Sequence, residues 1–161
     1  MQALIIYDSL FGNTEKVARA IGEVLSAQHT TRVLRATEVN LSEASGIDLL
    51  VVGGPTHAHG MSVPMRQLLS GLEQDSLQGA EAAAFDTRIH GPRWLWGSAA
   101  VAITAELRRA GCRLVLPPES FFVGLKKQSG LRSGELERAT NWARGLLTAS
   151  LQSGLRSEAA G

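Results

Sequence analysis

The sequence has a single cysteine, Cys112, among its 161 residues. No internal disulfide is therefore available, and no cluster of thiolates can hold a metal. Cys112 follows Gly111 at the start of an expected strand, where a thiol acts as buried filler rather than as a reactive group. Long apolar runs are also missing. The first one, Ala3-Leu4-Ile5-Ile6-Tyr7, is too short for a signal sequence or a membrane span, and Met1-Gln2-Ala3-Leu4 carries no basic leader. A cytoplasmic setting without a membrane partner is the expectation. No basic patch is interleaved with aromatic residues, so nucleic acid is not an expected partner. There is no internal repeat and no linker long enough to divide domains. One domain over 1–151 is expected, followed by a small, polar, frayed tail at 152–161.

Hydrophobic residues at 44% and charged residues at 19% describe an ordinary globular chain that can bury a real core. The net charge of +1 is unevenly spread: residues 1–90 carry six basic and ten acidic side chains, residues 91–161 ten and five. Such asymmetry either steers a charged partner or marks two solvated surfaces. Lys126, Lys127 and Arg132 cluster before the last helix, while Glu15, Glu23, Glu38 and Glu43 load the other half. A docking role for the basic cluster would bring in an acidic partner protein or, in a homodimer, the acidic half of a second copy.

Strand and helix signals alternate along the chain. Strands are expected at Ala3–Tyr7, Thr31–Ala36, Asp48–Gly53, Glu81–Phe85 and Arg113–Leu116, and helices at about 13–27, 64–72, 97–110 and 134–151. Leu49-Leu50-Val51-Val52 is continuously apolar, as suits a parallel strand covered on both faces, whereas Thr31–Arg35 is polar enough for an edge. Val17, Ala18, Ile21, Val24 and Leu25 make one apolar helix face. Ala99, Ala100, Ile103, Leu107 and Ala110 make a second, and Leu136, Ala139, Ala143 and Leu147 a third. The fold class is α/β, a three-layer sandwich around a parallel sheet. Ligands of such sheets bind beyond the carboxyl ends of the strands.

Three loops at those ends carry chemistry. The first, Asp8-Ser9-Leu10-Phe11-Gly12-Asn13-Thr14, passes from a strand into a helix. Gly12 permits close backbone approach, and Ser9, Asn13 and Thr14 offer short donors at a point where helix N–H groups have no internal partners. Two readings stand: a phosphate cradle, or an ordinary helix cap. The second loop is Gly53-Gly54-Pro55-Thr56-His57-Ala58-His59-Gly60. Its paired glycines let a ligand near the backbone, and Gly60 has the freedom to turn a peptide. His57 and His59 lack a carboxylate or thiolate to complete a metal site, so a polar wall is expected. The third runs from Phe85-Asp86-Thr87-Arg88 to Gly91-Pro92-Arg93-Trp94-Leu95-Trp96-Gly97-Ser98. Trp94 and Trp96 either stack on a planar ring or enter the core, while Trp142 packs against the sheet.

Together these loops resemble the flavodoxin family. The likeness rests on Ser-x-x-Gly-Asn-Thr at Ser9–Thr14, Gly-Gly-Pro-Thr-His at 53–57 and Phe-Asp-Thr-Arg at 85–88. It extends to Pro117-Pro118-Glu119-Ser120-Phe121-Phe122-Val123 and to the helix from Gly134-Glu135-Leu136. The resemblance implies a five-stranded parallel sheet of order 2-1-3-4-5, the flavodoxin arrangement, with FMN at its switch point. It implies that Ser9, Phe11, Gly12, Asn13 and Thr14 surround the FMN phosphate and that Pro55, Thr56, His57, His59 and Gly60 flank the isoalloxazine ring. Asp86, Thr87 and Arg88 would meet the ring's pyrimidine edge largely through the backbone. Because the second loop has no tryptophan, the third loop is expected to supply the aromatic cover, through Trp94 rather than Trp96. The implied function is electron transfer with a redox partner protein. The same-fold alternatives are an NAD(P)H-dependent FMN reductase, with Arg88 and Arg93 facing a nucleotide phosphate, and a partner-binding module with a decayed flavin site. Three departures stand out: Phe11 replaces a common threonine, the second loop lacks tryptophan, and the pI near 8.0 is not acidic.

Overall fold

The structure, a computed structural model, describes residues 1–40, 46–126 and 128–159. Glu43, Lys127 and the last two residues of the expected tail lie outside the described residues. Six strands, β1 (Gln2–Tyr7), β2 (Thr30–Arg35), β3 (Leu49–Pro55), β4 (Glu81–Ile89), β5 (Arg113–Leu114) and β6 (Glu119–Val123), form one parallel sheet. Its order is β2-β1-β3-β4-β5, with β6 also paired to β4. The fifth position is thus filled twice. β5 pairs with Glu81 and Ala82, and β6 with Phe85 to Ile89 further along the same strand. The expected single strand at Arg113–Leu116 stops at Leu114, and two prolines without N–H donors, Pro117 and Pro118, stand between the pieces.

Helices α1 (Asn13–Leu25) and α5 (Glu135–Ala159) cover one face. There Val17, Ala18, Ile21 and Leu25 meet Ala3, Ile5, Leu49 and Val51, together with Ala139, Ala143, Leu146 and Leu147. Helices α2 (Val63–Ser70) and α4 (Ala99–Arg109) cover the other, where Met65, Leu69, Ile103 and Leu107 pack on Leu4, Ile6, Leu50 and Val52. A four-residue helix, α3 (Arg93–Trp96), precedes α4. The strand period of two sends neighbours to opposite faces, which is why a continuously apolar β3 suits a sheet covered twice. Polar β2 lies at the sheet's edge.

Several expectations shift. Leu136 is exposed rather than packed, and α5 continues past residue 151 to Ala159. Trp142 lies against Phe85 and Phe121, with ring centroids 6.2 Å from each. Cys112 is buried, and that burial pushes its thiol up to about 11, leaving little thiolate at neutral pH. Among the described residues no helix is long and apolar enough to cross a membrane. The largest change concerns β4. It runs four residues beyond the expected end at Phe85, so Asp86, Thr87 and Arg88 are buried strand residues and not a loop.

Candidate functional site

The carboxyl ends of β1, β3, β4 and β6 open into one cleft of about 610 Å³, part of it open to solvent. Its lining comes from four chain segments: Ser9, Leu10, Phe11, Asn13 and Thr14; Pro55, Thr56 and His57; Thr87, Arg88 and Ile89; and Val123, Gly124, Lys126 and Ser129. None of these residues is acidic, while Lys126 and Arg88 are cationic.

The first loop is built as an open helix start. Gly12 is the residue before α1, held in the left-handed region at φ 85°, and no side chain caps the helix. Ser9 Oγ instead accepts the N–H of Gly12 at 3.0 Å. The first-turn N–H groups of Asn13, Thr14 and Glu15 lie beyond the reach of the helical ladder, whose first bond runs from Lys16 N to Gly12 O. The side-chain cap of the ordinary reading does not form among the described residues, and the N–H groups of Asn13, Thr14 and Glu15 have no hydrogen-bond partner there. Asn13 contributes differently from expectation: its Nδ2 donates to the Ser129 carbonyl at 2.8 Å and pins the loop after β6. Thr14 and Thr87 share a buried hydroxyl contact of 2.7 Å. One hydroxyl donates within that pair, so one proton remains for a neighbour.

Charge around this loop is arranged to spare it. Glu15 sits in the first turn, where a free carboxylate would repel an anion. Arg19 takes one of its oxygens at 2.7 Å and Arg35 the other at 3.3 Å. The hydrogen bond from Arg19 holds the Glu15 carboxyl below its usual range. Arg35 also donates to the Ser9 carbonyl at 2.9 Å, bracing the loop from the end of β2.

The second loop closes as a tight turn. His57 and Gly60 exchange backbone hydrogen bonds of 2.9 and 3.0 Å. The left-handed residues are Ala58 at φ 46° and His59 at φ 71°, not Gly60. Two non-glycine residues in that region store local strain, as binding loops often do. Gly97, with φ 73°, sits where any Cβ would collide with the His59 carbonyl, so the second and third loops touch there. The paired glycines also divide their work. A Cβ at Gly53 would enter the Phe85 ring, while one at Gly54 would meet nothing within 4 Å.

Of the residues expected at the site, Ser9, Phe11, Asn13, Thr14, Pro55, Thr56, His57, Thr87 and Arg88 line the cleft. Gly12 shapes the loop behind it. His59 and Gly60 lie outside the lining. Asp86 is fully buried beneath the cleft, with its side chain engaged inside the protein. Arg88 bonds inward to Ser120 Oγ at 3.0 Å and to the Gly91 carbonyl at 2.8 Å. Trp94 stands 85% exposed on α3, away from the lining, and the half-exposed Trp96 covers Gly91. Sequence reasoning missed Leu10, Ile89, Val123, Gly124 and Ser129, and assigned Lys126 only to a docking cluster. The signal was present: a glycine and two lysines after an apolar run are a loop at a strand end, once that run is seen as its own strand.

The donor set suits a phosphate ester, with open helix N–H groups, a hydroxyl pair, a cation and no lining acid. The apolar lining from Leu10, Phe11, Pro55, Ile89 and Val123 suits an attached ring. Residues 5–117 match the sequence pattern of the flavodoxin family. No curated protein sequence matches the chain. Among solved structures, oxidised flavodoxin 2 from Bacillus cereus superposes with a TM-score of 0.79 at 21% identity, covering 92% of this chain and 99% of that one. A flavodoxin from the domain Archaea gives 0.68 at 23% identity, covering 89% and 94%. The rubredoxin oxygen:oxidoreductase from Desulfovibrio gigas gives 0.73 at 21% identity, covering 93% of this chain but 37% of that larger protein. At such identities the likeness speaks for the fold. The sequence match over most of the length speaks for descent, and the chain belongs to the flavodoxin family.

Proposed function

We propose that this chain is an FMN-binding electron carrier that works with separate redox proteins in the cytoplasm. The observation that carries the reading is the convergence of the open α1 start, the Thr14–Thr87 pair and Lys126 on one acid-free cleft with apolar walls. Ser9, Thr14, Thr87 and the first-turn N–H groups of α1 would hold the phosphate. His57, Pro55 and Phe11 would border the ring, with Trp94 free to cover it from α3. Bound FMN supplies the redox chemistry, taking up and releasing electrons. The chain's part is to hold it, exclude water from one side and set the surrounding charge. No side chain is required as nucleophile or general base.

The test is optical. The purified protein should show a flavin spectrum, or acquire one with added FMN, and NADPH alone should leave it oxidised. Rapid bleaching by NADPH would make the chain a reductase, and a failure to bind FMN would leave only a partner-binding module.

The partner in this reading is an acidic redox protein. Arg93, Lys126 and Arg132 are exposed at the cleft end of the molecule. The acids near it, Asp8, Glu15 and Glu119, each lie within 4.0 Å of an arginine. Because Lys126 lines the cleft, reversing its charge would disturb FMN as well as docking. Arg132→Glu separates the two effects. It should slow electron transfer from the cognate donor about threefold or more at low ionic strength, lose that difference in high salt, and leave FMN affinity unchanged. Stopped-flow rates across a salt series decide it, and an unchanged rate assigns the cluster to solubility.

A further inference from the structure

Asp86 lies in the middle of β4 with no exposed surface. A buried carboxylate there is costly unless it is bonded. Its Oδ2 accepts three hydrogen bonds: from Ser98 Oγ at 2.6 Å, from Thr56 Oγ1 at 3.0 Å and from the Ala100 N–H at 3.0 Å. Thr56 Oγ1 in turn accepts the Ala99 N–H at 2.9 Å. One oxygen thus gathers the start of the second loop and the first turn of α4. Its other oxygen, Oδ1, makes no hydrogen bond among the described residues, and Arg88 Nε stands 3.9 Å away. Arg88 itself reaches forward to the carbonyls of Ile89 and Gly91, where the third loop begins. Beyond this node the second and third loops meet again at His59 and Gly97.

We propose that Asp86 is a positioning residue, whose buried carboxylate locks the second loop to the start of α4 so that the loops flanking the cleft move as one unit. It touches no ligand. A polar residue inside a strand is otherwise unexplained here, because an apolar residue at this position would leave the Thr56 and Ser98 hydroxyls and the Ala100 N–H without their shared acceptor. The consequence for flavin rests on the FMN reading above, but the consequence for loop order does not.

Amide exchange on the full chain, without and with added FMN, tests this. The informative amides are His57 and Gly60, because they bond to each other and not to Asp86. In Asp86→Ala both should exchange about tenfold faster or more, while Lys16, in the first turn of α1, stays as in the wild type. Asp86→Asn keeps an acceptor facing Ser98 and should retain protection at His57 and Gly60. Ser98→Ala, which removes one of the three bonds, should give an intermediate rate and stands in if Asp86→Ala does not fold. Unchanged rates at His57 and Gly60, or uniform acceleration throughout the core, would overturn the proposal. On the ligand side, FMN and riboflavin should weaken by the same factor in Asp86→Ala, leaving the phosphate contribution intact. A changed ratio between them would place Asp86 at the phosphate and also overturn it. If the wild-type chain bound no flavin, the functional proposal would fail while the exchange rates still decided this one.

Discussion

Replacing Thr14 with valine should lower FMN affinity about tenfold to a hundredfold while riboflavin affinity stays nearly unchanged. A hydrogen bond to a charged group contributes roughly 1.5–3 kcal/mol, and each 1.4 kcal/mol is a factor of ten. Thr14 is 1% exposed at the inner end of the first loop, so valine fits its volume and the hydroxyl alone is tested. The contact between Thr14 and Thr87 adds a sharper expectation. The bond between the two hydroxyls uses one of their two protons, so Thr87→Val, which leaves Thr14 its own proton, should cost less than Thr14→Val, and the double variant should cost little more than Thr14→Val alone. Titration of flavin fluorescence with both ligands measures the affinities of all four proteins. Equal affinities of the wild type for FMN and riboflavin would remove the phosphate from the site.

Gly53→Ala should destabilise the protein by about 3 kcal/mol, the upper range for overpacking a core, while Gly54→Ala, one residue later, should cost far less. The neighbours differ because β3 presents them to opposite faces. Gly53 faces the Phe85 ring, which is buried edge-on against Phe121 and Trp142 and has nowhere to retreat. Gly54 faces open space. Phe85→Leu should recover part of the loss in a Gly53→Ala background, because a smaller side chain vacates the room that the new methyl needs. Urea midpoints of these three variants and of Phe85→Leu alone check this. Equal costs at positions 53 and 54 would mean that backbone conformation, not the ring, requires glycine.

These glycines show where sequence reading and structure part. A Gly-Gly pair after a strand reads as one device for a ligand to approach the backbone. Only the structure shows that Gly53 answers to an aromatic ring thirty-two positions away in the chain, while Gly54 keeps the open side. His59 and Gly60 exchange roles in the same way. Glycine is the expected left-handed residue, yet the reciprocal bonds between His57 and Gly60 place Ala58 and His59 there. The Asp-Thr-Arg run after Phe85 reads as a loop because three polar residues in a row do not look like a buried strand. Their burial is made acceptable by Thr56, Ser98, Ser120 and Thr14, supplied from four other segments. No local window contains that compensation.

What the sequence determines by itself is whatever depends on period and on order along the chain. The apolar stripe of α1, the continuous apolar run of β3 and the alternation of strand and helix place two helical layers on a parallel sheet, because each pattern can be buried in only one way. The strand-to-helix passage at Ser9–Thr14 belongs to the same class, since its open N–H groups follow from the chain turning directly into a helix. Tertiary structure alone decides how β4 divides its flank between β5 and β6, and therefore that Gly124, Lys126 and Ser129 arrive at the cleft. It also decides that Asp86 faces inward and Trp94 outward. The physical reason is common to all of these. A hydrogen-bond acceptor, a collision or a counter-charge supplied by a distant segment sets the fate of a residue whose own neighbours in sequence carry no record of it.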